Sequence, residues 1–165
     1  MKTNVLSNAA REMVLPLSLE NLDAIKSGQY WYEDNTFSSQ LIVGKRLKAI
    51  VVFVRYSVVY GDIFTELNCI EKDKSSFLAK CRSAYQEDIF LPTLYEHEAI
   101  YEQIKHVNAS LDNVCGAPKW EGSYFTSTDY AWHQVWIKRY PDGAASASYR
   151  DGRYKIRPLI AYQLV

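Results

Sequence analysis

Lys48 to Val54 reads KAIVVFV, a run in which only the first residue is polar. A β-branched run of this kind suits a strand buried on both faces, because a strand with one wet face would alternate apolar and polar residues. Arg55-Tyr56-Ser57 interrupts it before Val58 to Phe64, so the two runs read as a hairpin. Two strands alone are not stable in water, and the rest of the chain has to supply the covering layers.

Helical signals lie on both sides of this hairpin. Ser18 can cap a short helix through Ser27, with Leu19, Leu22 and Ile25 on one face and Gly28 as its stop. A second helix begins at Asp73 or Ser75, where Phe77, Leu78, Cys81 and Tyr85 recur on one face. The third has the clearest start: Thr93 with Glu96 three places on forms a capping box, each side chain satisfying the other's free backbone N–H. Its inner face is expected to be Leu94, Ile100 or Tyr101, Ile104, Val107 and Leu111, with His97 and His106 as surface groups. Met13 to Leu17 reads as an edge strand or extended arm, Gln29 to Gln40 as a loop or irregular strand, and Asn113 to Gly122 as a Gly/Pro-containing loop. The order of helix, strands, two helices and strands predicts an α+β domain.

The remaining stretch, Gly122 to Tyr162, carries the functional signal. It opens on Thr126-Ser127-Thr128, crosses an aromatic segment with Trp132 and Trp136, and turns at Pro141-Asp142-Gly143. From Ala144 to Tyr154 almost nothing is apolar enough for a core strand, whereas Lys155 to Ile160 reads as one. Tyr, Trp, Ser, Gly, Asp and Arg together are the vocabulary of binding surfaces, since aromatics give contact area at little rotamer cost. Strand alternation puts Trp132 and Trp136 on one side, opposite Val135 and Ile137.

Charge and cysteines exclude other classes. With 19 basic and 19 acidic side chains the formal net charge is zero, so there is no basic excess for phosphate neutralisation and no nucleic-acid partner is expected. The three cysteines, Cys69, Cys81 and Cys115, are an odd count without CxxC, which argues against a disulfide framework or a zinc site and for thiols, at least two of them buried. No run has the length of a secretory leader or a membrane span, so the chain is expected to be soluble, without membrane insertion, and cytoplasmic until assembly, with a virion or cell surface as candidate destinations. No cofactor is expected.

From Leu91 onward the pieces assemble into a resemblance. Ala79 to Cys81, Leu91-Pro92-Thr93-Leu94 with Glu96 and Ile100-Tyr101, Asn108-Ala109-Ser110-Leu111, Gly122 to Asp129 (GSYFTSTD), Ala131-Trp132 and Tyr154 to Leu159 (YKIRPL) follow one another in an order that resembles a bacterial C-type-lectin-like group. That group is related in fold to the formylglycine-generating enzyme and includes the major paralogous domains of gut bacteria and the variable proteins of diversity-generating retroelements. The likeness covers about residues 45 to 162, which divides the chain into an N-terminal arm with a short helix, 1–44, packed on a C-type-lectin-like ligand-binding domain, 45–165. Three positions depart from the pattern while keeping bulk or turn chemistry: Ile89-Phe90 where Trp often precedes LP, Cys115-Gly116 for a paired glycine, and Phe125 for Trp.

The resemblance implies small mixed or antiparallel sheets with two main helices, and a C-terminal face that binds a protein or glycan on a cell surface, as a phage or bacterial receptor-binding protein would. The calcium-ligating strings of the lectins, Glu-Pro-Asn or Gln-Pro-Asp with Trp-Asn-Asp, are missing, so binding is expected to be calcium-independent. The enzymatic branch needs a reactive cysteine pair near the C-terminus, and no Cys follows Cys115; the alternatives to a binding protein are that oxidase fold or a structural domain. In the retroelement branch the resemblance implies randomised adenines in Asn codons, which yield Ala, Ser, Tyr, Arg, Asp, Gly or His but never Trp, Lys, Met, Gln or Glu. Every residue from Ala144 to Tyr154 belongs to the permitted set, whereas Trp132, Gln134 and Trp136 do not and would be fixed scaffold. The expected ligand face is Tyr130, His133, Tyr140, Ser146, Ser148, Tyr149, Arg150, Asp151 and Arg153, with Tyr149 and Arg150 as anchors. Trp132 is expected in the core, and Arg157 as a buried scaffold charge paired with an acid. Assembly through the N-terminal arm is an open expectation.

Overall fold

The computed structural model describes residues 23–140 and 142–163, together with the backbone of Val14–Pro16. In chain order the elements are β1 (Val14–Pro16), β2 (Tyr30–Tyr32), β3 (Thr36–Ser38), β4 (Leu47–Arg55), β5 (Val58–Asp62) and β6 (Leu67–Cys69), then a 3-10 turn (Glu71–Asp73) and α1 (Lys74–Tyr85). They continue with β7 (Ile89–Phe90), α2 (Leu94–Glu102), α3 (Ile104–Leu111), β8 (Gly122–Ala131), β9 (Gln134–Tyr140), β10 (Ala145–Tyr149), β11 (Tyr154–Ile156) and β12 (Leu159–Gln163). Seven strands form one sheet in the order β1-β3-β2-β4-β5-β12-β7, and five form a second in the order β10-β9-β8-β11-β6. The second sheet is mixed, since β11 runs parallel to β8 with Lys155 opposite Tyr124.

β4 explains why two layers are needed. Its alternate residues enter two separate cores: Ala49 and Val51 join Phe37, Val59, Phe125, Val135, Ile137 and Ile160 in one, and Ile50 and Val52 join Ile100, Val107, Leu111, Trp120, Tyr124 and Tyr140 in the other. α1 contributes Leu78 and Cys81 to the first core, while α2 and α3 cover the second. The same two-sided burial recurs in β8, where Tyr124 and Phe125 point into opposite cores. The turn after β4 places Tyr56 and Ser57 at φ 49° and 62°, the left-handed pair that a two-residue hairpin demands.

Several expectations need correction. Gln29 to Gln40 is a hairpin, β2 with β3, in which Trp31 and Phe37 are fully buried. β2 pairs directly with β4, so residues 30–38 belong to the same sheet as β4, across the expected boundary at 44/45. The single third helix is two, α2 and α3, broken at Gln103, whose N–H bonds Ile100 at 3.0 Å in a tightened turn. Ile100, Val107 and Leu111 keep one buried face through the break, and Thr93 and Glu96 form the expected capping box. Of the expected helix from Ser18, residues 18–22 lie outside the described residues, as do Met13, Leu17 and Pro141; Ile25 is buried and Gly28 takes φ 86°. The expected strand from Lys155 to Ile160 is divided between the two sheets, with Arg157 and Pro158 making the crossing.

Arg157 pins that crossing, as a buried scaffold charge should. Its Nη2 and Nε reach Asp62 at 2.6 and 3.2 Å, and its Nη1 reaches Glu66 at 3.0 Å. Backbone carbonyls of Pro118 and Lys119 accept the remaining donors at 2.6 and 3.1 Å. All five N–H groups of the guanidinium are therefore used.

Candidate ligand-binding face

β8 and β9 are joined by a two-residue turn, Trp132-His133, because Ala131 already pairs with Gln134. Trp132 consequently precedes β9 and does not share its alternation with Trp136. Instead of the expected core position it is 86% exposed, its ring stacked on His133 at 5.1 Å. Val135 and Ile137 are the buried pair, and Trp136 is half-buried with its ring edge-on to Tyr130 at 5.2 Å.

Thr126-Ser127-Thr128 turns out to be a docking bulge. The pairing register shifts between Phe125 and Asp129, and the groups freed there are satisfied locally. Thr126 Oγ1 donates to the Trp136 carbonyl at 2.8 Å and accepts from the Thr128 N–H at 3.1 Å. Ser127 N–H donates to the Pro92 carbonyl at 2.9 Å, and Thr128 Oγ1 accepts the Leu94 N–H at the start of α2, also at 2.9 Å. The strand end that carries Tyr130 and Trp132 is thus bolted to a helix start.

Arg150 supplies the second restraint. Its Nη2 reaches Asp129 at 2.7 Å, its Nη1 reaches Glu71 at 3.3 Å, and its Nε donates to the Trp132 carbonyl at 3.0 Å. Its backbone N–H donates to His133 at 3.2 Å, and its carbonyl accepts the Glu71 N–H at 3.0 Å. One residue therefore ties the β8–β9 turn, the end of β10 and the 3-10 turn before α1. Expected as a ligand anchor, Arg150 has most of its side-chain donors engaged by groups of this chain at the surface of the sheet end.

The expected site residues separate into groups. Tyr130 and Tyr149 are exposed at 55% and 64%, and His133, Asp151 and Arg153 are exposed beside them in sequence. Tyr149 lies opposite Gln134, so it shares the sheet face of Trp136. Ser146 and Ser148 lie opposite Ile137 and Val135 and therefore point to the other face. There Ser148 hydrogen-bonds Tyr154, and Ser146 lines a depression of about 260 Å³ with Ser123, Arg139 and Tyr154. Period-2 alternation is what divides a segment whose composition looks uniform.

Tyr140 has to be removed from the face. It is 1% exposed, its hydroxyl meets His97 Nδ1 at 3.1 Å and donates to the His97 carbonyl at 3.2 Å, and burial raises its pKa well above the ordinary tyrosine range. His97, expected on the surface, is fully buried among Trp120, Tyr124 and Tyr140. Burial drives its pKa down to about 3, with the Phe125 carbonyl opposing only in part. The signal was available, because His97 stands three residues before Ile100 on the helix's inner face. His106 is exposed, as expected. Cys69 and Cys81 are buried thiols and Cys115 is exposed. Among the described residues no three His, Cys, Asp or Glu side chains cluster as metal ligands, and no helix is long and apolar enough to cross a membrane.

Among the described residues the class defined is α+β, with two sheets and three helices and an aromatic hairpin end. No family model matches the chain, and no curated protein matches it. Among solved structures it is similar to a fimbrial protein from Bacteroides ovatus, with a TM-score of 0.65 at 11% identity. The match covers 84% of this chain and 49% of the other, so the chain spans about half the length of that structure. At that identity the likeness concerns the fold.

Proposed function

We propose that the protein is a non-enzymatic binding protein that presents the aromatic end of its five-stranded sheet to a protein or glycan on a cell surface. The observation that carries this reading is the exposure of Tyr130, Trp132 and Tyr149 at 55%, 86% and 64% on a hairpin end tied down by Arg150. Large aromatics held rigid in solvent are costly to a monomer and are what interfaces use as anchors. Trp132 takes the anchor role first given to Arg150. The C-type-lectin-like reading supplies a scaffold of this kind, with a C-terminal face on paired strands, and the capping box at Thr93 and the buried Arg157 agree with its motif order. The fimbrial name of the Bacteroides ovatus structure fits a setting on a cell surface or appendage.

Within this reading the diversified positions are those exposed between Tyr130 and Tyr154, with Trp132, Gln134, Trp136, Tyr140 and Arg150 as fixed frame. The test uses fluorescently labelled protein on a panel of intact gut-bacterial cells and on arrayed glycans, with calcium chelated. Trp132→Ser with Tyr149→Ser should weaken any binding by about 100-fold, as loss of two anchors implies. Binding that survives the double substitution in a folded protein would remove the aromatic end from the account. Sequencing the locus in related isolates tests diversification separately: changes confined to exposed positions support it, and uniform divergence contradicts it.

A further inference from the structure

Among the described residues β10 is one of the two edges of the five-stranded sheet, and it is unlike the other sheet edges. Of the described sheet edges, β1, β7 and β6 have three, two and three residues, and Pro16 ends β1. β10 has five, reads Ala-Ser-Ala-Ser-Tyr, and carries no charge and no proline, the devices that ordinarily keep edges apart. Its pairing with β9 fixes which groups point outward. Arg139 N–H bonds the Ala144 carbonyl at 2.8 Å and Arg150 N–H bonds the His133 carbonyl at 3.2 Å. With the register Ala145↔Lys138, Ala147↔Trp136 and Tyr149↔Gln134, antiparallel alternation turns the N–H and C=O of residues 145, 147 and 149 away from β9.

We propose that β10 pairs with β10 of a second copy of this chain, antiparallel about a two-fold axis at Ala147. In that register Ala147 faces its own counterpart, Ala145 faces Tyr149 of the other copy, and Ser146 faces Ser148. Small residues therefore meet at the axis, serine hydroxyls meet on one face, and each tyrosine lies over an alanine on the other, with no like charges opposed. Beyond the strand, the exposed Arg139–Asp142 pair at one end comes towards Asp151 and Arg153 of the partner copy, so each end brings both signs together. The formal net charge of zero leaves no overall repulsion to oppose association. An axis perpendicular to the sheet puts the exposed aromatics of both copies on the same side, so the dimer would offer two faces at once and raise avidity for a repetitive surface. This pairing goes beyond the proposed function and does not depend on it.

The experiment is sedimentation velocity on the full chain from nanomolar to high-micromolar concentration, with Ala147→Lys, Ala147→Glu and their equimolar mixture. Wild type should pass from monomer to a closed dimer. Each charged variant, folded by circular dichroism, should stay monomeric because its own charge is opposed across the axis. The mixture should dimerise again, with both variants in the dimer. Wild type monomeric throughout, growth past the dimer, or a mixture that behaves as its components would each overturn the pairing, and none of them touches the ligand-binding reading.

Discussion

Replacing Arg157 by Met removes the guanidinium that closes the buried network and leaves the Asp62 carboxylate, itself 0% exposed, without its counter-charge. Asp62 then keeps only the Phe64 N–H at 3.0 Å and Trp120 Nε1 at 3.0 Å as donors. The carbonyls of Pro118 and Lys119 lose their partner, whereas Glu66 keeps the Tyr124 hydroxyl at 3.0 Å and the Lys155 ammonium at 3.2 Å. Removing one member of a buried pair costs about 3–5 kcal/mol, because the other charge stays desolvated. In a chain of this size each kcal/mol moves Tm by roughly 2–4 °C, so a fall of roughly 6–20 °C is expected. Against a total stability of about 5–15 kcal/mol this is a large share. Urea titration by far-UV circular dichroism measures it, with the slope checked for an unchanged unfolding transition. The companion variant Asp62→Asn/Arg157→Met removes both charges, retains an acceptor for Trp120, and should be more stable than Arg157→Met alone. A loss below about 1 kcal/mol for Arg157→Met, or a double variant that only adds a further loss, would refute the claim that the pair closes the crossing between sheets.

Three further outcomes follow from the geometry. His97 is held neutral in the fold with its pKa near about 3, below the value of 6.5 for a free histidine, so the stability it contributes is complete above 6.5 and is lost as pH falls towards 3. Between pH 6.5 and 5, before the carboxylates interfere, about 2 kcal/mol should be lost; His97→Gln should flatten that limb, and an unchanged limb would contradict the assignment. Gly61→Ala should cost about 1–3 kcal/mol, since the new Cβ would stand 2.8 Å from Ala49 Cβ and 3.0 Å from the Trp31 ring at the centre of the larger sheet. Arg150→Met should raise amide exchange at residues 131–134 and at position 150 by about tenfold, from the loss of bonds worth about 1–2 kcal/mol, and unchanged exchange would show that Arg150 is not the restraint.

What could be read in advance followed the strength of the local physics. The KAIVVFV run and the Thr93–Glu96 box encode their structure within a few residues, and both formed as expected. Arg157 was legible as a buried charge because a lone Arg before Pro inside an apolar strand has few other uses. The β2–β3 hairpin was missed because its aromatic and polar residues show no clean alternation, and its burial depends on pairing with β4, which is distant in sequence. Trp132 was placed in the core on the resemblance at Ala131-Trp132, yet the two-residue turn puts it at the exposed tip. The same local ambiguity put Tyr140 on the face, because a tyrosine at a strand end reads alike whether it meets solvent or His97 on another element. Arg150 was read as an anchor for the same reason, since Asp129 and Glu71 reach it only through the fold.

Protease-resistance scanning of every single substitution across residues 122–163 measures the central claim most directly. If the end of the sheet displays side chains that the frame does not need, substitutions at Tyr130, Trp132, His133, Tyr149, Asp151 and Arg153 should change stability by no more than about 0.5 kcal/mol. Truncation of Phe125 should cost about 3–5 kcal/mol, and Tyr140 should be comparably intolerant. A scan in which Trp132 and Tyr149 prove as intolerant as Tyr140 would mean that the aromatic end holds the fold together, and the account of a display face would be contradicted.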